Sequence, residues 1–253
     1  MAANELGGAG GPLAVLVVTI FAAEFGKLVS KETKIDIIVT PFVTICVGVL
    51  LSLGCAPAIG AAASTVGTAI MWATELQPFF MGIIVSVIVG IALTLPISSA
   101  AICAALSLTG LAGGAAVAGC CAQMVGFAVM SFKENKWGGL LAQGIGTSML
   151  QVPNIVKKPI IWLPAILSSA ILGPVGTMIF HMTSNATGSG MGTAGLVGQI
   201  MTWQTMIQTE PAATVLIKIF IIQIILPAIV TLSISEYMRK KGWIKNGDMK
   251  LDV

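Results

Sequence analysis

Long apolar runs alternate with short polar breaks along most of the chain, and the run lengths set the first reading. A helix that crosses a bilayer needs about 20 apolar residues. Six runs come close to that length: residues 12–29, 35–53, 79–95, 115–132, 160–180 and 215–233. Each is predicted to be a membrane-spanning helix. The second contains Pro41, which a helix in lipid accepts when neighbours satisfy the freed carbonyl. Polar breaks fall at residues 30–34, at Lys133-Glu134-Asn135-Lys136 and after residue 235.

Three other segments are weakly apolar and built from small residues: Ala56 to Thr74, Ile97 to Ala112 and Gly138 to Leu150. Hydropathy does not separate a span, a re-entrant piece and an interfacial helix for the first, and leaves the other two ambiguous. Charge narrows the choice. Lys and Arg favour the cytoplasmic side, and residues 236–253 hold five basic and three acidic residues. The end of the chain is therefore placed inside. Lys133, Lys136, Lys157 and Lys158 ask for the same side. That parity holds only if the stretch from Gly138 to Asn154 enters and leaves by one face, and if His181 to Gln204 does the same on the other. Two re-entrant hairpins follow. The fold class expected is an all-α integral membrane protein, a polytopic helical bundle with re-entrant hairpins and an internal repeat.

Composition agrees with a membrane chain. Only 9% of the 253 residues are charged and 56% are hydrophobic, against about 25% charged in a soluble domain. Mean hydropathy is +0.98. A cytosolic enzyme, a disordered chain and a secreted disulfide scaffold are excluded. The net charge of +3 makes no case for nucleic acid. One histidine rules out a His dyad or a metal site built on several imidazoles. The five cysteines form no CxxC pattern and read as small buried apolar residues. No cofactor, metal or catalytic residue is expected. Met1 to Gly11 lacks the basic start of a signal peptide and reads as a glycine-rich loop, so the chain is expected to begin partway through a larger protein.

The repeat rests on a weak echo. Gly67-Thr68-Ala69-Ile70-Met71 resembles Gly146-Thr147-Ser148-Met149-Leu150. Pro78 or Pro159 then opens a strong span. Ile97-Ser98-Ser99-Ala100 parallels Met182-Thr183-Ser184-Asn185, and Thr109-Gly110-Leu111-Ala112-Gly113 parallels Ala194-Gly195-Leu196-Val197-Gly198. The units would be 57–114 and 137–200. Solute would then bind between them, near the bilayer midplane, where broken helices expose backbone groups.

The richest polar stretch is His181 to Gln199. Glycine there lets the backbone approach a ligand, and Asn185, Thr187, Ser189 and Thr193 offer neutral donors and acceptors. Such a surface suits a sugar or polyol, or an anion at a helix N-terminus. Gly190→Val is expected to break this hairpin by forbidding positive φ. His181 stands beside it, as a ligand or as an ordinary hydrogen-bonding residue. Ser98 and Ser99 would be the matching polar edge of the first unit, or helix-packing residues. Gln151 and Asn154 could reach solute from the cytoplasmic side, or form a polar turn. Glu75 lies at an interface, and either Glu75 or Glu210 could accept a hydrogen bond from a solute hydroxyl. Glu210 precedes Pro211 at the start of the last span, where a carboxylate suits a helix N-terminus. Glu24 lies inside the first span, with Lys27 three residues on and able to neutralise it.

Several strings resemble a known family. Glu24-Phe25-Gly26-Lys27-Leu28-Val29-Ser30, Thr33 to Pro41, Trp72-Ala73-Thr74-Glu75-Leu76-Gln77-Pro78, Leu95-Pro96-Ile97-Ser98-Ser99-Ala100, Gln151-Val152-Pro153-Asn154-Ile155-Val156-Lys157, Gly190 to Gln199 and Arg239-Lys240-Lys241-Gly242-Trp243-Ile244 look like the IIC permease component of a phosphoenolpyruvate-dependent sugar phosphotransferase system. The likeness is to a divergent branch called IIC-like, over nearly the whole chain read as one permease domain, 1–253. It implies a bacterial cell membrane, sugar uptake coupled to phosphorylation, a separate IIB and IIA that carry the phosphoryl group, a homodimer, and further hydrophobic segments before this chain begins. Thr209-Glu210-Pro211 is similar to a motif of better-known sugar IIC subunits, in a different context. The competing readings are a secondary transporter or sensor for a non-sugar solute without phosphoryl transfer, and a structural membrane partner.

Overall fold

The structure, a computed structural model, describes residues 11–30 and 36–251. Apart from one isolated bridge, Gly110 to Ser184, the described chain is helical or irregular. Four of its helices are long and apolar enough to cross a membrane: Asp36–Ala61, Gly110–Met130, Pro159–Ile179 and Ala212–Lys240. Pro78–Thr94 is a shorter apolar helix, and Gly11–Val29 is a helix of 19 residues. Each of the six expected spans thus falls on a helix. The all-α polytopic fold read from the hydropathy pattern is borne out.

The chain divides into two compact units, Met1–Thr68 with Ala104–Leu106, and Ala69–Cys103 with Ser107–Val253. The first holds α1 (Gly11–Val29) and most of α2 (Asp36–Leu76). The segment Ala56 to Thr74 is simply the continuation of α2. Small residues bring the two helices together: a side chain at Gly26 would collide with Thr44, and one at Gly48 would meet Ala22. Glu24 and Lys27 pair at 4.0 Å on the surface. Ile37, Ile38, Phe42, Leu50 and Leu53 are exposed, as lipid-facing side chains are.

The second unit is built around α5 (Gly110–Met130), whose residues from Ala112 to Ala128 are all buried. α5 is packed tightly because it is made of Gly and Ala. A side chain at Gly119 would strike the backbone of Ser86, and one at Gly126 would strike Thr231. Without a hydrophobic drive between helices in lipid, such close backbone approach is what holds them. α3 (Pro78–Thr94) and α8 (Leu163–Pro174) flank it. These two run antiparallel, since Pro78 meets Thr177, Gly82 meets Gly173 and Ser86 meets Ser169.

Two broken stretches interrupt the bundle. The first runs from Leu95 through α4 (Ser99–Ala105) to the start of α5. Between α5 and α8 lie α6 (Phe132–Leu141), a π turn Ala142–Gly146, a 3-10 turn Ser148–Gln151 and α7 (Val152–Lys157). After α8 and a π turn Val175–Ile179 comes the second broken stretch, with α9 (Ala186–Ser189) and a 3-10 turn Ala194–Leu196, ahead of α10 (Val197–Met206). α11 (Ala212–Phe220) continues through a π turn Ile221–Ile225 into α12 (Leu226–Lys240).

Matching backbone devices mark the two broken stretches. Ser98 Oγ accepts from the N–H of Ala101 (3.2 Å) at the head of α4, and Asn185 Oδ1 accepts from Gly188 (3.0 Å) at the head of α9. Ser107 and Gly110 have positive φ, three residues apart, and Gly192 and Gly195 repeat that spacing 85 residues later. Gly190 corrects one expectation. Its φ is −101°, so no positive φ is needed there. Glycine is required instead because a side chain would come within 2.6 Å of the Ser99 carbonyl carbon.

Candidate functional site

The second broken stretch is packed against α5, not draped outside it. A side chain at Gly113 would meet Ser184 and Ser189, one at Gly114 would collide with Met182, and one at Gly192 would meet Cys120. The first broken stretch reaches it from the other side. Ser99 Oγ donates to the Gly190 carbonyl (2.7 Å), Ser189 Oγ lies 2.9 Å from the Leu108 carbonyl, and the Ser184 N–H donates to Gly110 (3.3 Å). Asn185, Ser189, Thr193 and Ser99 therefore share one region. Thr193 Oγ1, Ser184 Oγ and Gln199 Oε1 are buried there without a hydrogen-bond partner. Buried polar atoms are almost always satisfied, so these three are open positions.

Next along α5 lies a polar hub that the hydropathy pattern did not reveal. Gln123, wholly buried, accepts at Oε1 from Trp162 Nε1 (2.8 Å) and Thr94 Oγ1 (3.2 Å). Its amide nitrogen donates to Ser169 Oγ at 3.4 Å. Thr94 Oγ1 is also 2.9 Å from Ser148 Oγ. Five side chains from α3, α5, the 3-10 turn at 148–151 and the start and body of the Pro159–Ile179 helix thus meet in one place. Trp162 is half-exposed while the other four are buried. The only hint in the sequence is a single amide inside a 21-residue apolar helix.

Gln151 and Asn154 lie elsewhere. Their amides hold the chain's own residues 249–250: Gln151 Nε2 donates to the Met249 carbonyl (3.0 Å), and Asn154 Nδ2 to the Lys250 carbonyl (2.9 Å). Ser98 is exposed at its capping position, and Thr187 and Glu75 are exposed. His181 is exposed with φ +47°. Glu210 pairs with Lys218 at 2.7 Å, ahead of α11. The basic residues used to argue topology do gather at one end. Lys133 pairs with Glu236 (2.7 Å), Arg239 with Glu134 (2.8 Å) and Lys158 with Asp248 (2.6 Å). Residues 133, 134 and 158 thus all pair with the same terminal segment.

Among the described residues, no group of three or more His, Cys, Asp or Glu side chains could hold a metal ion. The hub and the second broken stretch contain amides, hydroxyls and an indole, groups that can bind a neutral polar solute.

A family model described as "Phosphotransferase system, EIIC" matches residues 1–251. The chain belongs to that family. This EIIC protein is accordingly a multi-pass membrane permease subunit of the phosphotransferase system, as its sequence motifs implied. Comparison with curated proteins and with solved structures found no match. The family assignment rests on the chain as a whole.

Proposed function

We propose that this EIIC chain binds a sugar or polyol between its two broken stretches and carries it across the bacterial cell membrane for phosphorylation by a separate cytoplasmic IIB, itself charged by IIA. One observation carries the reading: neutral amides and hydroxyls from several segments converge on the glycine-rich helix α5 inside an otherwise apolar unit. Ser99, Asn185, Ser189 and Thr193 form one part of the site, and Gln123, Thr94, Ser148 and Trp162 form the other. An indole beside amides and hydroxyls supplies an apolar platform and polar edges, which matches a sugar ring. His181, Ser98, Thr187, Glu75 and Glu210 stand at the periphery of this proposal, and Gln151 and Asn154 enter it only when residues 249–250 move away.

The two broken stretches belong, in this reading, to inverted copies spanning 57–114 and 137–200. Their support is the repeated positive-φ spacing, the paired caps and the antiparallel packing of α3 on α8. Parity then makes residues 138–154 and 181–204 re-entrant hairpins. Residues 133–136, 157–158 and 236–251 mark the cytoplasmic end, where IIB would dock. The protein works as a homodimer.

Proteoliposomes containing the protein, with IIA, IIB and a phosphoenolpyruvate supply, test the proposal. A radiolabelled hexose or hexitol should appear inside as its phosphate, and only when IIB is present. Accumulation of chemically unchanged solute would replace the proposal with a secondary transporter.

A further inference from the structure

Residues 242–251 do not trail off the bundle. They lie across the stretch between Lys133 and Lys158 and are fastened to both of its limbs. Asn135, on the first limb, donates to the Met249 carbonyl (2.8 Å) and accepts from the Leu251 N–H (2.8 Å). Gln151 and Asn154, on the second limb, take the carbonyls of Met249 and Lys250. Three side-chain amides therefore read the backbone of residues 249–251 from two sides, as a neighbouring strand would. Ile244, Met249 and Leu251 are buried. Ile244 and Met249 join Phe127, Met130, Ile155 and Ile161 in one apolar cluster.

The anchors continue upstream. Lys158 holds Asp248, and Glu134 Oε1 takes both Arg239 (2.8 Å) and the Gly247 N–H (3.3 Å). The Glu134–Arg239 pair is nearly buried, with side-chain exposures of 5% and 8%, yet Glu134 Oε2 accepts no hydrogen bond and Arg239 Nε only stands 4.0 Å from Glu236 Oε1. A buried ion pair with unfilled valences is a weak fastening.

What the segment fastens is built from irregular turns. Residues 142–151 form a π turn followed by a 3-10 turn, conformations that often mark hinges. Gly138 precedes the π turn, and Gly144 and Gly146 lie within it. A side chain at Gly138 or Gly146 would meet nothing within 4 Å, so close packing is not their reason. A chain of amides links the strap to this turn: Gln151 donates to Gln143 Oε1 (2.9 Å), and Gln143 donates to Ser131 Oγ (2.9 Å). Beside the strap lies an open groove of about 310 Å³ lined by Glu134, Asn135, Gly138, Gly139, Lys250 and Leu251 among others. At its far end the same stretch supplies Ser148 to the Gln123 hub.

We propose that residues 244–251 are a releasable strap that locks the 138–151 stretch against the bundle. While the strap is seated, Ser148 stays on Thr94 and the hub stays closed. When the amides of Asn135, Gln151 and Asn154 let go, the stretch swings into the adjoining groove and uncovers the hub. This device does not depend on which solute is carried.

Hydrogen–deuterium exchange on the full chain in detergent micelles tests it. The Asn135→Ala/Asn154→Ala double variant loses three side-chain bonds to the strap, so amides in 142–150 should exchange about tenfold faster or more than in the unmodified protein. Amides of residues 112–128 in α5 should stay slow, which reports an intact fold. Should that variant not fold, the opposite change serves. Asn154→Cys with Lys250→Cys, in a chain with Cys46 and Cys55 replaced by serine, should on oxidation slow exchange in 142–150, and reduction should reverse it. Fast exchange confined to 244–251, with 142–150 unchanged, overturns the proposal. So does an oxidised crosslink that leaves 142–150 unaffected.

Discussion

Two of the stretches that supply polar groups to the middle of the larger unit are held in different ways. Residues 182–199 are held by shape. Gly113, Gly114, Gly190, Gly192 and Gly198 bring backbone against backbone so closely that a Cβ at any of them would overlap a neighbour. Residues 138–151 are held by side-chain amides and by a strap drawn from more than 90 residues away in sequence. Steric contact of the first kind has no low-energy alternative. Hydrogen bonds of the second kind can be exchanged for water or for one another, each for about 1 kcal/mol net. The contrast makes the 182–199 stretch a fixed wall of the proposed site and the 138–151 stretch its movable side.

The sharpest way to break that contrast is Gly114→Val. A side chain there would run into the Met182 carbonyl, and overpacking of this severity should cost about 3 kcal/mol or more. The protein should lose its monodisperse peak on size-exclusion chromatography. A well-folded variant would mean that the wall can yield after all. Next comes Arg239→Met, which leaves Glu134 as an unpaired buried carboxylate and should cost about 3–5 kcal/mol. Thermal unfolding in detergent would show the loss, and protection in 244–251 should fall more than in 182–199. Equal loss in both stretches would erase the distinction.

A smaller change sharpens the site. Asn185→Ala removes the cap of α9, worth about 1 kcal/mol, and should abolish solute binding while the protein stays folded. Unchanged affinity in a calorimetric titration with the transported sugar would take Asn185 out of the site. Gln123→Leu should likewise weaken binding and leave exchange in 182–199 unaltered, and intact affinity there would separate the hub from the solute.

The smallest effect concerns acid. Burial by itself raises the Asp248 carboxyl, but the hydrogen bonds from Lys158 Nζ and the Lys245 N–H, with the charges of both lysines, outweigh it and hold the group below its ordinary value. A carboxyl lowered by folding stabilises the folded strap at every pH above the ordinary aspartate value of about 3.9, and that contribution disappears as pH falls through the lowered value. Protection of 244–251 should therefore be flat from neutral pH down to the ordinary aspartate range, then drop. Asp248→Asn should remove the drop. A transition near neutrality would point to another group.

Much of this architecture was legible in the residues. Each of the six apolar runs is a helix, and the polar stretch after Phe180 is indeed broken and packed inward. Lys133, Lys158 and Arg239 each pair with an acidic residue, and these pairs tie residues 133–158 to the terminal segment. What was not legible was which polar groups meet. Gln151 and Asn154 have the same composition signature as solute ligands, yet they grip residues 249–250. Gln123 is one amide in a run of Gly and Ala, and nothing within its own helix signals that Thr94, Ser148 and Trp162 converge on it. Gly190 was rightly singled out, but for φ, when the constraint is the backbone of Ser99 some 90 residues earlier.

By itself, then, the sequence determined that the chain lives in a membrane, where its helices lie, and to which family it belongs. These follow from local run lengths and residue strings, and each is written in consecutive residues. Only the tertiary structure decided which glycines are contact points, which amides face a strap and which face the interior. Those outcomes depend on pairs of residues tens to more than a hundred positions apart, brought together by close helix packing that no local periodicity encodes.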